Sequence, residues 1–301
     1  PKGSMWLKNN IGTAPGLIIE ASGKYLIALP GPPREMIPMF EHDLIPYIKK
    51  ISPAKSVILT RTLKTTGLAE SQLHPKIKEF LQLAGDITVG IYAHPSQIDL
   101  KITTKAKNRS LAREKIGSVE KRIRKRLGGL IYGADDETLE GVAANLLKNK
   151  TLAIAESCTG GLLSDRLTDI PGISKNLIFS LVAYSNKSKV ELLDIPEAML
   201  KKHGAVSAAV ARAMAVNVRN LSNTDIGIGI TGIAGPGGAT NKKPVGLVHI
   251  ALSAGKKTIH KECHFVGERK IIKFRATQAA LDMLRRYLTI SLSNQVKNSL
   301  F

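Results

Sequence analysis

The chain has 301 residues, of which 43% are hydrophobic and only 4% aromatic, and its formal net charge is +20 at pH 7. This length predicts two or three domains, and the composition excludes a disordered chain and favours α/β cores filled with aliphatic side chains. No apolar run approaches the roughly 18 residues that a membrane span needs, and no signal-peptide pattern is present. We therefore expect a cytoplasmic protein without a membrane partner.

The cysteines and the charged residues narrow the function further. Cys158 and Cys263 have no C-x-x-C partner, so we expect reduced thiols, and no His, Asp and Glu cluster has the spacing of metal ligands. Residues 51–134 account for +10 of the net charge of +20. A basic segment can contact nucleic acid, although a solvated lysine-rich surface is the commoner cause.

The amino-terminal segment predicts a short β-hairpin and one helix. Strands over 17–20 and 25–29 flank a turn, and Pro33 is placed to begin a helix over 34–47. Two strands and one helix do not make a stable domain. We expect residues 1–52 to pack against the rest of the chain or to be part of a larger domain.

The middle of the chain predicts a small α+β domain with the order β-α-β-β-α. The predicted strands and helices cover 56–65, 69–83, 87–92, 98–104 and a long helix from Arg109. The outer face of that helix is basic, with Lys121, Arg122, Arg124, Lys125 and Arg126. However, no two glycines between 56 and 132 lie three residues apart, so the G-x-x-G backbone clamp of KH modules is missing.

The last part of the chain predicts a sheet flanked by helices, the three-layer α/β/α class. Asp135-Asp136 marks the boundary, followed by a helix over 138–148 and a buried strand over 151–155. The later predicted elements are a helix over 162–168, a strand over 177–184, a helix after 189, a helix over 208–220, strands over 225–230, 245–252 and 258–265, and a terminal helix over 271–288.

Two glycine-containing turns carry the candidate chemistry. Ser157, Cys158 and Thr159 stand between the strand 151–155 and Gly160-Gly161. Glycines there allow backbone to approach a ligand, and the free N–H groups of the following helix favour an anion or a developing oxyanion. A second loop, 231–238, contains Gly232, Gly235, Gly237 and Gly238. A purely structural turn is the alternative for both.

Six motifs, in this order, resemble the carboxy-terminal domain of the CinA (competence/damage-inducible protein A) family. They are AESCTGG at 155–161, YSNKSK at 184–189, HGAVS at 203–207, ITGIAGPGG at 230–238, KPVG at 243–246 and GER at 267–269. The resemblance implies a nicotinamide mononucleotide deamidase, an amidohydrolase that converts the carboxamide to the acid and releases ammonia. It also implies no cofactor and a homo-oligomer, the dimer of the family.

The resemblance extends upstream. GTAPG at 12–16 and LPGPPREM at 29–36 resemble the closing part of a molybdopterin-binding-like (MoaB/Mog-like) domain, and 56–132 resembles the KH-type middle domain of the family. We therefore expect three domains: a remnant over 1–52, a KH-type α+β domain over 53–134 and the deamidase domain over 135–301. Because the glycine-rich nucleotide-binding motif of the first domain is not in the sequence, its pyrophosphatase activity is not expected.

Amide hydrolysis needs a nucleophile, a base that takes its proton and donors for the oxyanion. No histidine in the motifs has a carboxylate partner, whereas a serine with a desolvated lysine satisfies the requirement. We predict Ser157 as nucleophile and Lys189 as base, because Lys189 rather than Lys187 matches the lysine of the family, with Tyr184 orienting it or relaying a proton. Cys158 is the alternative nucleophile.

Substrate recognition is predicted to centre on Arg269, whose guanidinium fork matches phosphate oxygens. A second arginine of the family, four residues on, is Lys273 here, which keeps the charge and loses the fork. Thr231 and Thr159 are candidates for polar contacts to the ring amide or the ribose of the substrate, and Thr231 is also counted among the catalytic residues. Ser207 is expected chiefly to cap a helix. The substrate-binding candidates are Cys158, Thr159, Gly160, Gly161, Ser207, Gly232, Gly235, Gly237, Gly238 and Arg269. The alternative function is a nucleic-acid-associated binding protein in which the glycine loops are structural.

Overall fold

The computed structural model describes residues 3–52 and 56–298, with side chains as far as Ser291. It divides into two compact units, one made of Pro1–Ile58 and Lys105–Ala112 and the other of Leu59–Thr104 and Arg113–Phe301. The predicted boundary between 52 and 53 adjoins 53–55, which lie outside the described residues. The division into three domains stays a prediction.

The first unit is built on a three-stranded antiparallel sheet in the order β1-β2-β3. Its elements are β1 (Met5–Leu7), β2 (Gly16–Ala21), β3 (Lys24–Ala28), α1 (Pro33–Met39), a π-helical turn (Phe40–Leu44) and α2 (Ile45–Ile51). The predicted hairpin is confirmed. Strand β1 was not predicted, because three residues are too few for an alternating pattern.

The next part of the chain forms a four-stranded sheet in the order β5-β6-β4-β7. The elements are β4 (Val57–Thr66), α3 (Glu70–Leu81), β5 (Ile87–His94), β6 (Gln97–Ala106), α4 (Arg109–Leu127), a 3-10 turn (Gly128–Leu130) and β7 (Ile131–Ala134). Strand β7 pairs antiparallel with β4 and was also missed. All four of its residues are buried, so its sequence shows no alternation.

The remaining chain forms a mixed five-stranded sheet in the order β12-β11-β10-β8-β9. Its elements are α5 (Leu139–Leu147), β8 (Leu152–Glu156), α6 (Leu162–Thr168), a 3-10 turn (Ile173–Lys175), β9 (Leu177–Val182), α7 (Asn186–Leu193), α8 (Glu197–His203), α9 (Ala208–Leu221), β10 (Ile226–Gly232), β11 (Leu247–Ala254), β12 (Lys257–His264) and α10 (Arg269–Asn298). The predicted α/β class is confirmed.

Helices cover both faces of this sheet, as the alternation along β8 shows. Leu152 and Ile154 pack into a core shared with α5 and α10, whereas Ala153 and Ala155 pack into a core shared with α7, α8 and α9. Successive side chains of a strand point to opposite faces. A strand buried on both faces therefore reads as an uninterrupted apolar run, which is why β8 was predictable.

Helix α9 lies against β10 at backbone contact. A Cβ on Gly227 would stand 2.1 Å from the carbonyl oxygen of Ala215, and one on Gly229 would stand 2.4 Å from that of Ala211. No side chain fits at either position unless the helix shifts. The two glycines therefore fix the distance between the helical layer and the strand whose end carries Thr231.

Two predictions about the segment after β9 were wrong. The strand ends at Val182 rather than at Tyr184, and the helix predicted to begin after 189 already begins at Asn186 as α7. Ser185 and Ser188 form a capping box at this start. The single helix expected after 189 is two helices, α7 and α8, because Asp194 adopts a left-handed φ of 50° and a proline follows at 196. Among residues 3–52 and 56–298, no helix is both long and apolar enough to cross a membrane.

Candidate active site

The site lies where three parallel strands end together. Strand β8 pairs parallel with β9 and with β10, so their carboxyl ends meet at one edge of the sheet. Ser157 directly follows β8, and Tyr184 follows β9 by two residues. Thr231 is the last residue but one of β10. These residues line one cavity of about 290 Å³, together with Lys189, Arg269 and the loop 232–238.

Lys189 is the most deeply buried charged group of the cavity, with 1% of its surface exposed. Its Nζ lies 2.9 Å from Ser157 Oγ and donates to the carbonyl oxygen of Ala183 at 2.7 Å. Burial lowers the pKa of Lys189 below its ordinary value, because the charged ammonium is poorly solvated there.

The two candidate nucleophiles differ in their surroundings. Both line the cavity, but Ser157 contacts the amine of Lys189, whereas Cys158 also packs into the apolar core shared with α5 and α10. Burial raises the pKa of the Cys158 thiol to about 12. The thiol is therefore protonated near neutral pH, and a protonated thiol is a poor nucleophile.

Arg269 joins two parts of the rim. Its Nη1 donates to the carbonyl oxygen of Gly235 at 2.6 Å, and its Nη2 donates to Tyr184 Oη at 2.6 Å. The Tyr184 hydroxyl therefore contacts Arg269, and only the Tyr184 backbone carbonyl lies near Lys189, at 3.4 Å from Nζ. The described contacts place the Tyr184 ring at the arginine rather than at the lysine.

The remaining candidates divide into two groups. Thr231 lines the cavity and donates to the Ala205 carbonyl at 2.9 Å, and Gly232, Gly235, Gly237 and Gly238 line it as well. Ser207 caps α9 and donates to the Gly204 carbonyl at 2.9 Å, and it is not among the lining residues that the structure describes. Thr159, Gly160 and Gly161 are also outside the described lining.

Glu156, which the sequence reasoning did not select, binds the backbone at the start of α6. Its fully buried carboxylate accepts from the backbone N–H groups of Gly161 at 3.1 Å, Leu163 at 3.1 Å and Ser164 at 2.9 Å, and from Ser164 Oγ at 2.7 Å. The expectation that the start of α6 offers free N–H groups to an anion was therefore wrong. An acid at the end of a buried strand, directly before a helix, was the available signal.

Five further lining residues were not selected from the sequence. They are Asn186, Ala205, Val206, Ile233 and Ala234, and all lie within motifs already noted.

The basic face of α4 is less free to bind a partner than its charge suggests. On α4, Arg124 pairs with Glu120 at 2.8 Å and Arg126 pairs with Glu79 at 3.1 Å. In the described part of the chain, no three His, Cys, Asp or Glu side chains are grouped so as to hold a metal ion.

Comparison with known proteins identifies the family. The sequence model of the CinA C-terminal domain matches residues 136–288, and that of the damage-inducible protein CinA KH domain matches residues 60–133. A putative competence-damage inducible protein of Caldicellulosiruptor bescii is 46% identical over 288 residues, which are 95% of this chain and 70% of that protein. The chain belongs to the CinA family.

The chain is also similar to a second CinA-like protein and to one solved structure. A CinA-like protein of Dictyoglomus turgidum is 44% identical over 289 residues, covering 95% of this chain and 70% of its own length. The crystal structure of competence/damage inducible protein CihA from Agrobacterium tumefaciens is 35% identical, with a TM-score of 0.48 over 50% of this chain and 95% of that chain. The resemblance inferred from the six motifs is confirmed.

Proposed function

We propose that this CinA protein is an amidohydrolase that deamidates nicotinamide mononucleotide to nicotinic acid mononucleotide and ammonia. The observation that carries the proposal is the buried amine of Lys189, 2.9 Å from the hydroxyl of Ser157 at the wall of a cavity. A buried lysine with a lowered pKa and a serine at hydrogen-bond distance form a nucleophile and its base.

The reaction follows from this geometry in two halves. Neutral Lys189 accepts the proton of Ser157 as Oγ attacks the carboxamide carbon, and then gives that proton to the departing nitrogen, which leaves as ammonia. Water then attacks the resulting ester on Ser157 while Lys189 takes a proton from it. Lys189 returns this proton to Ser157 Oγ as the bond between Oγ and the acyl carbon breaks and the carboxylic acid is released. N–H groups of the loop 232–238 are the proposed donors to the oxyanion.

Arg269 is proposed to bind the substrate phosphate at the rim. A guanidinium has five N–H donors, and the contacts described use one on Gly235 and one on Tyr184, which leaves three for phosphate oxygens. The cavity, about 290 Å³, is at the lower end of ligand pockets, roughly 300 Å³. The aromatic amide therefore occupies the cavity, and the phosphate lies outside it beside Arg269.

The test compares nicotinamide mononucleotide with nicotinamide riboside, which lacks the phosphate. Wild type should release ammonia from the mononucleotide, and Ser157→Ala should not. Arg269→Ala should lose about 2–3 kcal/mol of transition-state stabilisation on the mononucleotide, and most of its preference over the riboside. A folded wild type without ammonia release, but with salt-dependent retention on single-stranded nucleic acid, would instead support the nucleic-acid-binding alternative.

We also propose that the protein forms a homodimer through β9. This strand is an edge of the five-stranded sheet and carries no charged residue. Ile178 is 50% exposed, Phe179 36% and Val182 43%. An uncharged apolar edge strand is a template for pairing with another strand, and the same segment of a second copy is complementary to it.

A further inference from the structure

A second cavity, of about 720 Å³, shares no described lining residue with the proposed active site. It lies within the larger compact unit. One wall comes from the turn between β5 and β6, and the other from the first two turns of α10. The proposed reaction does not use this cavity, and of its described lining residues only Lys273 was noted above, at the position of a second arginine of the family.

The wall at the β5–β6 turn is an ordered chain of hydrogen bonds. Tyr132 Oη donates to Gln97 Oε1 at 2.6 Å, and Gln97 Nε2 donates to Asp99 Oδ1 at 2.7 Å. His94 Nε2 lies 3.3 Å from the second carboxylate oxygen of Asp99, which is 8% exposed. The hydrogen bonds hold Gln97 and Asp99 in place, so ordering these two side chains adds little cost to binding.

The α10 wall supplies excess positive charge. Lys270 and Lys273 both line the cavity, and neither has an acidic partner among the described residues. Residues three apart on a helix are neighbours, so the two ammonium groups repel each other. Asp99 is the one acidic residue in the described lining, so the two lysines outnumber it there. An anion between the lysines would remove their repulsion.

The space beside the lysines is apolar. Ile271, Phe274 and Leu162 complete the described lining, and Phe274 is an aromatic ring that Arg166 contacts at 4.6 Å from its centroid. We propose that this cavity binds a small aromatic anion, whose carboxylate or phosphate lies between Lys270 and Lys273 and whose ring packs against Phe274. The charge, the ring and the ordered polar wall together define this ligand class.

The product of the proposed reaction, nicotinic acid mononucleotide, belongs to this class. Choosing it as the probe rests on the proposed function, whereas the site itself does not. Isothermal titration of the full chain should show two molecules bound per chain, one in each cavity. Lys270→Met and Lys273→Met should each weaken one of the two by at least about tenfold, as expected for loss of a charge-assisted contact, and Arg269→Ala should weaken the other.

Lys202→Met is the matched control, because it removes an exposed lysine on α8 that lines neither cavity. It should bind both molecules like wild type. The proposal is overturned if both lysine variants on α10 retain two molecules at wild-type affinity. It is also overturned if wild type binds a single molecule that Arg269→Ala abolishes. Lys270 is exposed, so its variant tests the proposal even if Lys273→Met unfolds.

Binding of benzoate and of inorganic phosphate tests the contributions of the aromatic ring and of the anionic group separately. Benzoate should bind in a manner that depends on Lys270, because it combines the ring and the carboxylate. If inorganic phosphate binds as tightly as any aromatic anion, the ring contributes nothing and the proposal is wrong. Ammonia release measured on the same samples distinguishes the failure of one proposal from the failure of the other. If the wild-type chain releases no ammonia but Lys270→Met still loses binding, the proposed function is rejected and the second binding site is retained.

Discussion

Replacing Lys189 by Met is the most direct test of the site, because the new side chain keeps the length and loses the amine. Lys189 is 1% exposed and its Nζ is 2.9 Å from Ser157 Oγ. General-base catalysis contributes about 10²–10⁴ in rate, so kcat/KM should fall by at least that factor, or about 3–5 kcal/mol of transition-state stabilisation.

The same change should alter stability far less. It leaves the Ala183 carbonyl without the donor that now lies 2.7 Å away. An unsatisfied buried acceptor costs about 1–3 kcal/mol, and part of this is offset because a poorly solvated amine is no longer buried. For a unit of this size we expect a decrease in Tm of less than about 10 °C.

Ammonia release and chromatography of the acid product measure the activity, and circular dichroism melting measures the fold. Lys187→Met is the control, since Lys187 is 79% exposed and contacts only Glu191, at 3.7 Å, in an exposed i,i+4 pair. Its activity should stay within about twofold of wild type. Equal losses from the two substitutions, or a Lys189→Met enzyme within tenfold of wild type, would refute the assignment of the base.

Four further outcomes follow from the described contacts. Because burial lowers the Lys189 pKa below 10.5, kcat/KM should rise with pH through the lowered pKa. The unfolded chain binds more protons in that window, so the free energy of unfolding should also rise between the lowered pKa and 10.5, and pH titration of Lys189→Met should show neither rise. Cys158→Ala should retain deamidation within about tenfold, since a thiol with a pKa of about 12 is not the nucleophile; complete loss in a folded variant would reverse that choice. Glu156→Ala should lower the free energy of unfolding by about 2 kcal/mol or more in urea titrations, because one buried and two half-buried N–H groups lose their acceptor, and a loss below about 1 kcal/mol would contradict the capping role. Light scattering should find Ile178→Lys monomeric and Ile259→Lys, on the opposite edge strand β12, dimeric. A dimeric Ile178→Lys and a monomeric Ile259→Lys would place the interface at β12 instead of β9.

The sequence predicted the elements whose signal is local. The apolar run of β8, the helical spacing of α9 and the turn between β2 and β3 each follow from residue type and period. The pairing of Ser157 with Lys189 was proposed from motifs and residue chemistry. The distance between them depends on β8 and β9 lying side by side, which a single sequence does not state.

The features that were missed depend on contacts between distant residues. Strand β7 is fixed by its pairing with β4, and neither periodicity nor turn residues reveal a four-residue buried strand. The place of Glu156 between a buried strand and a helix is a local signal, but it does not show that the side chain turns back to the start of α6. Local patterns could not show which backbone donors remain free.

The capping by Glu156 determines where the site can recognise negative charge. With three N–H groups of the α6 start bound to an internal carboxylate, that helix end is no longer available to a phosphate. Lys189 must be neutral to act as a base, so it cannot supply the charge either. Arg269, which bridges Gly235 and Tyr184, is then the cation that remains in the described lining of this cavity. The cavity is thus suited to a substrate with a neutral carboxamide at one end and a single anionic group at the other, held at the rim rather than at the reacting carbon.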